Sequence, residues 1–334
     1  MGSETQRPGY FLLTLDTELA WGTSDPGGLT KYKALFEQTR PAIRRLLDLL
    51  DKYSIPATWA FVGHLLLDRC ELRNGTTHPE VLRPSYGWYP GDWHALDPGT
   101  DLERDPFWYC ADIFEWVRGR TVPHEIGTHT FSHVIMDDPA CTREIPASQL
   151  AACREMHGSR GLELTSLVFP RNRVAHLDVL REAGIIAYRG PEESWLQHLR
   201  GNARRAGHLA HRLLALPPPT YRIEGRAGNG LVNLPASMLL LPYHGVRRFI
   251  PVWSRFRQAE LGIRSAATQG AIFHLSFHPF NLPSSEKLFD ILGRIFRLVA
   301  NLREQGKIEP RTMTAMARLV LARDGFGEGG GDRK

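Results

Sequence analysis

The sequence predicts an α/β fold, a (β/α) barrel or a doubly wound sheet. Three observations carry this prediction. Short, continuously apolar runs have the length of strands; apolar residues recur at helical spacing between them; and the first run stops abruptly at an acid. Runs apolar on both faces belong to parallel sheets covered by helices, and strands alternating with helices define that class.

The first run, YFLLTLD (10–16), ends in Asp16 and reads as a strand buried on both faces. From about Thr30 to Tyr53 the residues Ile43, Leu46, Leu47, Leu50 and Tyr53 fall at helical spacing, with Lys52 in the last turn and Pro56 just beyond. ATWAFVG (57–63) follows as a second strand, which completes a βαβ unit. After a long interruption, LTSLVFP (164–170) reads as a strand. VAHLDVLREAG (174–184) is then a helix closed by Gly184, and IIAYRG (185–190) a strand. GLVNLPASMLLLP (230–242) is an apolar segment broken by Pro235. AIFHLSFH (271–278) is a further strand, and SSEKLFDILGRIFRLVANLREQG (284–306) a long amphipathic helix. No internal repeat is visible. One domain over 1–322 is expected, with 323–334 a Gly-rich tail of disordered composition.

The interruption, about 64–123, is an aromatic-rich insertion holding Trp88, Tyr89, Trp93, Trp108, Tyr109 and Trp116. Long loops inside compact domains commonly form lids or binding surfaces. Aromatic faces also stack on sugar rings, so Trp88 and Trp93 are candidate substrate contacts; anchoring the insertion to the barrel is the competing use.

The composition, 42% hydrophobic and 23% charged, is that of a soluble globular protein. No stretch approaches the roughly 18 consecutive apolar residues of a membrane span, and the N-terminus lacks the apolar core of a signal peptide. Cys70, Cys110, Cys141 and Cys153 form no C-x-x-C pair and read as free thiols, so a cytoplasmic location is expected. The formal charge of +5 is concentrated in RGNARRAGHLAHR (200–212) and RRFIPVWSRFR (247–257). A helix over 196–216 would carry Leu196, Leu199, Ala203, Leu209, Leu213 and Leu216 on one side. It suits either a solvated barrel helix or peripheral contact with an anionic membrane at the inner face. No nucleic-acid partner is expected.

Among 14 histidines, two pairs are spaced four apart, His129/His133 and His274/His278. Chance alone supplies roughly 0.6 such pairs, so spacing is weak by itself. On a helix, His129 and His133 of HEIGTHTFSH (124–133) would share a face and could reach one ion. A third ligand is on offer in TLDTE (14–18), at a strand end where barrels place their chemistry.

HEIGTHTFSH resembles the second motif of the NodB-type polysaccharide deacetylases, carbohydrate esterase family 4, in which the two histidines bind a metal. LTLDTE resembles the first motif, VFPRNR (168–173) stands in the place of the third, and HLSFHPFNL (274–282) resembles the last. The resemblance spans residues 10 to about 285 and implies a distorted (β/α) barrel. Two departures stand out: Thr17 replaces the second of two adjacent aspartates, and no fourth motif is visible. Following relatives with an Asp-x-Glu arrangement, the resemblance implies Asp16 as base, Glu18, His129 and His133 as metal ligands, His278 as general acid, and Arg171 pairing with Asp16. The exchange of the Asp16 and Glu18 roles is also compatible with the residues. Asn172, His274 and Asn281 follow motif positions as candidate substrate contacts, and His124 reads as structural.

The implied activity is metal-dependent removal of an acyl group, acetyl first, from an N-acyl amino sugar. An intracellular, lipid-linked or nucleotide-linked glycan precursor is the expected substrate. Zn2+ is the first choice of metal, with Co2+, Ni2+ and Mn2+ compatible with the same donors. Hydrolysis of another C–N bond, in an N-formyl sugar or a cyclic amide, is an alternative, as is an inactive sugar-binding protein.

Overall fold

The computed structural model describes residues 7–23, 27–194, 199–225, 227–228 and 230–323. The chain runs β1 (Gly9–Thr17), α1 (Gly28–Glu37), α2 (Thr39–Tyr53), β2 (Thr58–Phe61), α3 (Ala111–Arg118), β3 (Glu125–Thr128), α4 (Glu144–Gly158), β4 (Ser166–Val168), α5 (Leu177–Glu182) and β5 (Ala187–Arg189). It continues through α6 (Gly201–Leu213), β6 (Ala227–Gly228), β7 (Leu231–Asn233), β8 (Met238–Leu239), α7 (Val252–Gln269), β9 (Ile272–Phe277), α8 (Lys287–Glu304), β10 (Ile308–Arg311) and α9 (Met313–Arg323). The sheet order is β6-β7-β5-β4-β3-β2-β1-β9-β8, with β10 beside the start of β1. The pairings are parallel except β6 with β7. The sheet curls into a distorted (β/α) barrel, as the alternation of strands and helices predicts.

β1 is buried along its whole length because both its faces are covered. Phe11, Leu13 and Leu15 pack outward with Ile43, Leu46, Leu47 and Leu50 of α2 and Ile291, Leu292, Ile295 and Phe296 of α8. Tyr10 and Leu12 turn inward to Ala60, Val168, Ala187, Val232 and Ile272. Met313, Met316 and Val320 of α9 join this inner cluster. Met313 N donates to Thr58 Oγ1, and Arg323 Nη2 to Tyr10 Oη, so α9 closes the end of the barrel where β1 and β2 begin. The opposite end, where the parallel strands finish, is left for chemistry.

The helix expected over 30–53 is two helices meeting at Gln38. Pro41 has no N–H to give to a carbonyl four residues back, so it is tolerated in the first turn of α2 but not within one long helix. β10 and α9 were not evident from the sequence, since Pro310 masks a four-residue strand. Leu196 of the expected basic helix and the tail 324–334 lie outside the described residues. Among the described residues, no helix is long and apolar enough to cross a membrane. All four cysteines are buried and unpaired.

The insertion contributes α3 and a series of turns pressed onto the barrel. Trp108, Tyr109 and Cys110 join the outer core, while Tyr86, Tyr89 and Trp93 pack with Phe131, Val134, Ile135 and Met136.

Candidate metal centre and active site

Successive strand residues face opposite ways, so residues two apart share a face. Thr14 and Asp16 of β1, and Glu18 just past its end, all turn toward the open mouth of the barrel. Thr17 does not: its Oγ1 bonds the Leu15 carbonyl of its own strand, 3.3 Å away. An acid at each of positions 16 and 18 is therefore what this strand requires to place two carboxylates side by side.

The histidines arrive on β3 and the loop after it. Glu125 ties the start of β3 to its surroundings, accepting from Thr58 Oγ1, Ser166 Oγ and Thr314 N. Gly127 is needed because a Cβ there would lie 2.6 Å from Ser166 Oγ. Residues 129–133 are not helical; Thr130 (φ 65°) and His133 (φ 57°) sit in the left-handed region. The two imidazoles meet through this folded loop, with ring centroids 4.9 Å apart. Ser132 N and Oγ both donate to Gln149 Oε1, and Val134 N donates to Thr130 Oγ1. Strained backbone held this firmly is characteristic of functional sites.

His129 Nδ1 lies 2.7 Å from the Val168 carbonyl, an acceptor only, so Nδ1 carries the proton and Nε2 a lone pair. That Nε2 is 3.3 Å from Glu18 Oε2, and His133 Nε2 is 3.1 Å from the same oxygen. All three side chains are buried, and their ligand atoms lie within 4.8 Å of one another. A lone pair and a carboxylate converging in a buried space fit a divalent cation, and the Nδ1–H bond to a carbonyl is the usual outer support for such a ligand.

Beside this group, Arg189 grips Asp16 with both prongs, Nη1 to Oδ1 at 2.6 Å and Nη2 to Oδ2 at 2.7 Å. Arg189 is 1% exposed. It is aimed by Thr14 Oγ1 at 2.8 Å and by Asn172 Oδ1, which accepts from Nη2 and Nε. Burial alone would raise the Asp16 carboxyl, but Arg189, with His278 and His129, holds it below its ordinary value. Glu18, equally buried, is held well below its ordinary range by His278 and by the His129 and His133 imidazoles beside it. Burial lowers His133, which favours the neutral form that a ligand needs. At the mouth, the His278 side chain is 26% exposed, with Nε2 3.3 Å from Glu18 Oε1 and 3.8 Å from Asp16 Oδ2.

Four expectations need correction. The guanidinium that holds Asp16 belongs to Arg189, not Arg171. Arg171, at φ 55° in the loop after β4, lies with its Cζ 5.1 Å from the Trp88 ring. Its signal was legible: Arg189 is a lone cation ending an apolar strand, which only a buried counter-charge explains. Asn172 spends its carbonyl oxygen on Arg189 rather than on a ligand. His274 is fully buried, one layer below the mouth. Its Nδ1–H bonds the Leu234 carbonyl (3.0 Å) and its Nε2 accepts from Thr14 Oγ1 (3.1 Å). Burial and nearby Arg189 push it down to about 3, so it is a neutral support for Thr14 and, through it, Arg189. Trp93 is 3% exposed and donates to the Ser132 carbonyl at 2.6 Å, which makes it an anchor for the histidine loop.

Trp88, 44% exposed, stacks on Tyr86 and bonds Asp138 through Nε1. Asn281 is buried in the turn after β9, its Oδ1 without a protein partner. His124 accepts from Ala57 N and stays outside the site.

No protein-family model and no curated protein sequence matches the chain. Solved structures do match in shape. A Mycobacterium smegmatis protein assigned as a polysaccharide deacetylase superposes over 100% of this chain and 97% of its own, with TM-score 0.59 and 14% identity. The chain has the NodB-type deacetylase fold. A Pseudomonas aeruginosa protein assigned to the same activity matches over 94% of this chain and 90% of its own (TM-score 0.53, 13% identity). So does Puue allantoinase, over 94% and 89% (TM-score 0.54, 13% identity). At these identities the likeness concerns the NodB-type fold alone.

Proposed function

We propose that the chain is a metal-dependent hydrolase that removes an acetyl or other small acyl group from an N-acyl amino sugar. The observation that carries this reading is the convergence of His129 Nε2, His133 Nε2 and the Glu18 carboxylate beside an arginine-held aspartate and a half-open histidine. Zn2+ suits two imidazoles and one carboxylate; Co2+, Ni2+ and Mn2+ suit them too. When bound, such an ion supplies a Lewis acid for the substrate carbonyl and lowers the pKa of a water.

The chain's own residues then divide the proton work. Asp16 takes the proton of the attacking water, its carboxylate aimed by Arg189. Arg189 also makes it a weak base, adequate for a water already made acidic. His278, at the mouth, gives a proton to the leaving amine. Glu18, gripped by both ligand histidines, is better suited to ligation than to proton transfer, which favours the assignment of Asp16 as base. At the rim, Trp88 with Arg171 is the pair suited to a sugar's face.

The same constellation could open another C–N bond. The shape shared with Puue allantoinase favours a cyclic amide as the second reading. The test is release of free acid from a panel of N-acyl sugars, nucleotide-linked sugars and lipid-linked sugars. We expect chelator-sensitive release from at least one; ring opening of cyclic amides without acid release would favour the alternative.

A lipid- or nucleotide-linked substrate is supported by the surface around α6. Leu214, Val246, Phe249 and Trp253 are exposed there together with Arg204, Arg205, Arg247, Arg248 and Arg257. Apolar side chains among arginines match an anionic lipid surface.

A further inference from the structure

We propose that the insertion holds a second metal ion, a structural Zn2+, between His64, Cys70, His78 and Asp97. One ligand atom from each lies within 4.8 Å of the others. His64 lies in the turn just after β2, past Val62 and Gly63, and its backbone is fixed by a bond from His64 N to the Phe131 carbonyl, 2.9 Å. Its Nδ1 faces the Trp108 carbonyl at 3.3 Å, which makes Nδ1 the donor and leaves the Nε2 lone pair pointing inward. Inward it meets Asp97 Oδ2 at 2.9 Å and Cys70 Sγ at 3.5 Å. This repeats the pattern of His129: one nitrogen pinned to a carbonyl, the other aimed at a buried carboxylate.

A proton on His64 would satisfy Asp97 but nothing else in the group. Cys70 Sγ lies 3.6 Å from Asp97 Oδ2 and 3.1 Å from Tyr109 Oη. Tyr109 Oη accepts from Thr100 N, which leaves its own proton to give to a thiolate. His78 Nε2 is buried with no hydrogen-bond partner, while its Nδ1 is 3.5 Å from Glu80. His78 is also held at φ 47°, a left-handed backbone that needs a reason. One cation answers all of these at once. Two nitrogens, one sulfur and one oxygen, with no position left open, describe a structural zinc site. A cleft of about 420 Å3 over Cys70 and His78 gives an ion access.

Such an ion would cross-link the insertion at His64 and Asp97. It would also brace the histidine loop, since the Phe131 ring lies 5.8 Å from His64 and 5.1 Å from His78. The spacing of these ligands, with five, seven and eighteen residues between them, matches no common zinc motif. Only the fold assembles them.

The proposal is independent of the deacylase reading. Protein from zinc-supplemented cells should carry two equivalents of metal by elemental analysis. Cys70→Ala and His78→Ala should each lose one and keep the other, and His129→Ala should lose the complementary one. Cobalt-substituted wild-type protein should show a thiolate-to-cobalt charge-transfer band that Cys70→Ala abolishes. The wild-type band itself needs no variant to fold and no substrate. A wild type with no equivalent of metal that Cys70→Ala or His78→Ala removes, or a cobalt protein without a thiolate band, overturns the proposal.

Discussion

A carboxylate as buried as Asp16 persists only beside a cation, and here that cation is Arg189. Removing one partner of a buried pair leaves an uncompensated charge, at a cost of about 3–5 kcal/mol. Arg189→Met should therefore lower the free energy of unfolding by that order, read from a lower denaturant midpoint, and stop turnover, while the Glu18 centre still takes up metal. An unchanged midpoint would show that Asp16 has another counter-charge. Arg171→Ala should behave differently, raising KM for a sugar substrate with kcat within a few-fold; a collapse of kcat would return the supporting role to Arg171. The sequence made Asp16, Glu18, His129, His133 and His278 legible, because each sits in a motif at a strand end. It misdirected attention to Arg171 because motif order says which loop supplies a cation, but not which guanidinium reaches the carboxylate.

At the scale of elements, the Asp-x-Glu spacing is explained by one strand's alternation, with Thr17 as the residue that faces away. The central strands were legible as apolar runs, whereas the break at Gln38, β10 and α9 were not. A proline's tolerance depends on which turn it occupies, and a four-residue strand leaves little periodicity to read. His124 behind β3 and His274 on β9 are neutral in the fold, burial holding them at about 4 and about 3. Unfolded, each would titrate near about 6.5. The unfolded chain thus binds more protons below that pH, and stability must fall as pH drops through about 6.5 toward those lower values. Denaturant midpoints at about pH 5 should lie below those at about pH 7, and His124→Gln should shrink the difference. A flat dependence over that range would contradict the buried neutral state.

For the whole molecule, α9 closes one end of the barrel and the motif loops with the packed insertion surround the other. The insertion was legible as aromatic, but not how those rings are used. Trp93 anchors the histidine loop, and Trp88 remains at the rim. The basic surface around α6 predicts retention on anionic vesicles at low salt, lost as salt screens the arginines. Arg204→Glu/Arg205→Glu should reduce that retention several-fold in a sedimentation assay; equal retention of variant and wild type would leave the patch as ordinary surface.

The central claim is that Glu18, His129 and His133 hold the metal on which acyl release depends. Its most direct test is acid release from an N-acyl sugar substrate, measured with metal content before chelation, after it, and after zinc is restored. Release should fall to background with the chelator and return with zinc in the wild type. In Glu18→Gln it should stay at background, with one equivalent of metal missing. Acid release that survives complete removal of metal, or that persists in Glu18→Gln, would contradict it.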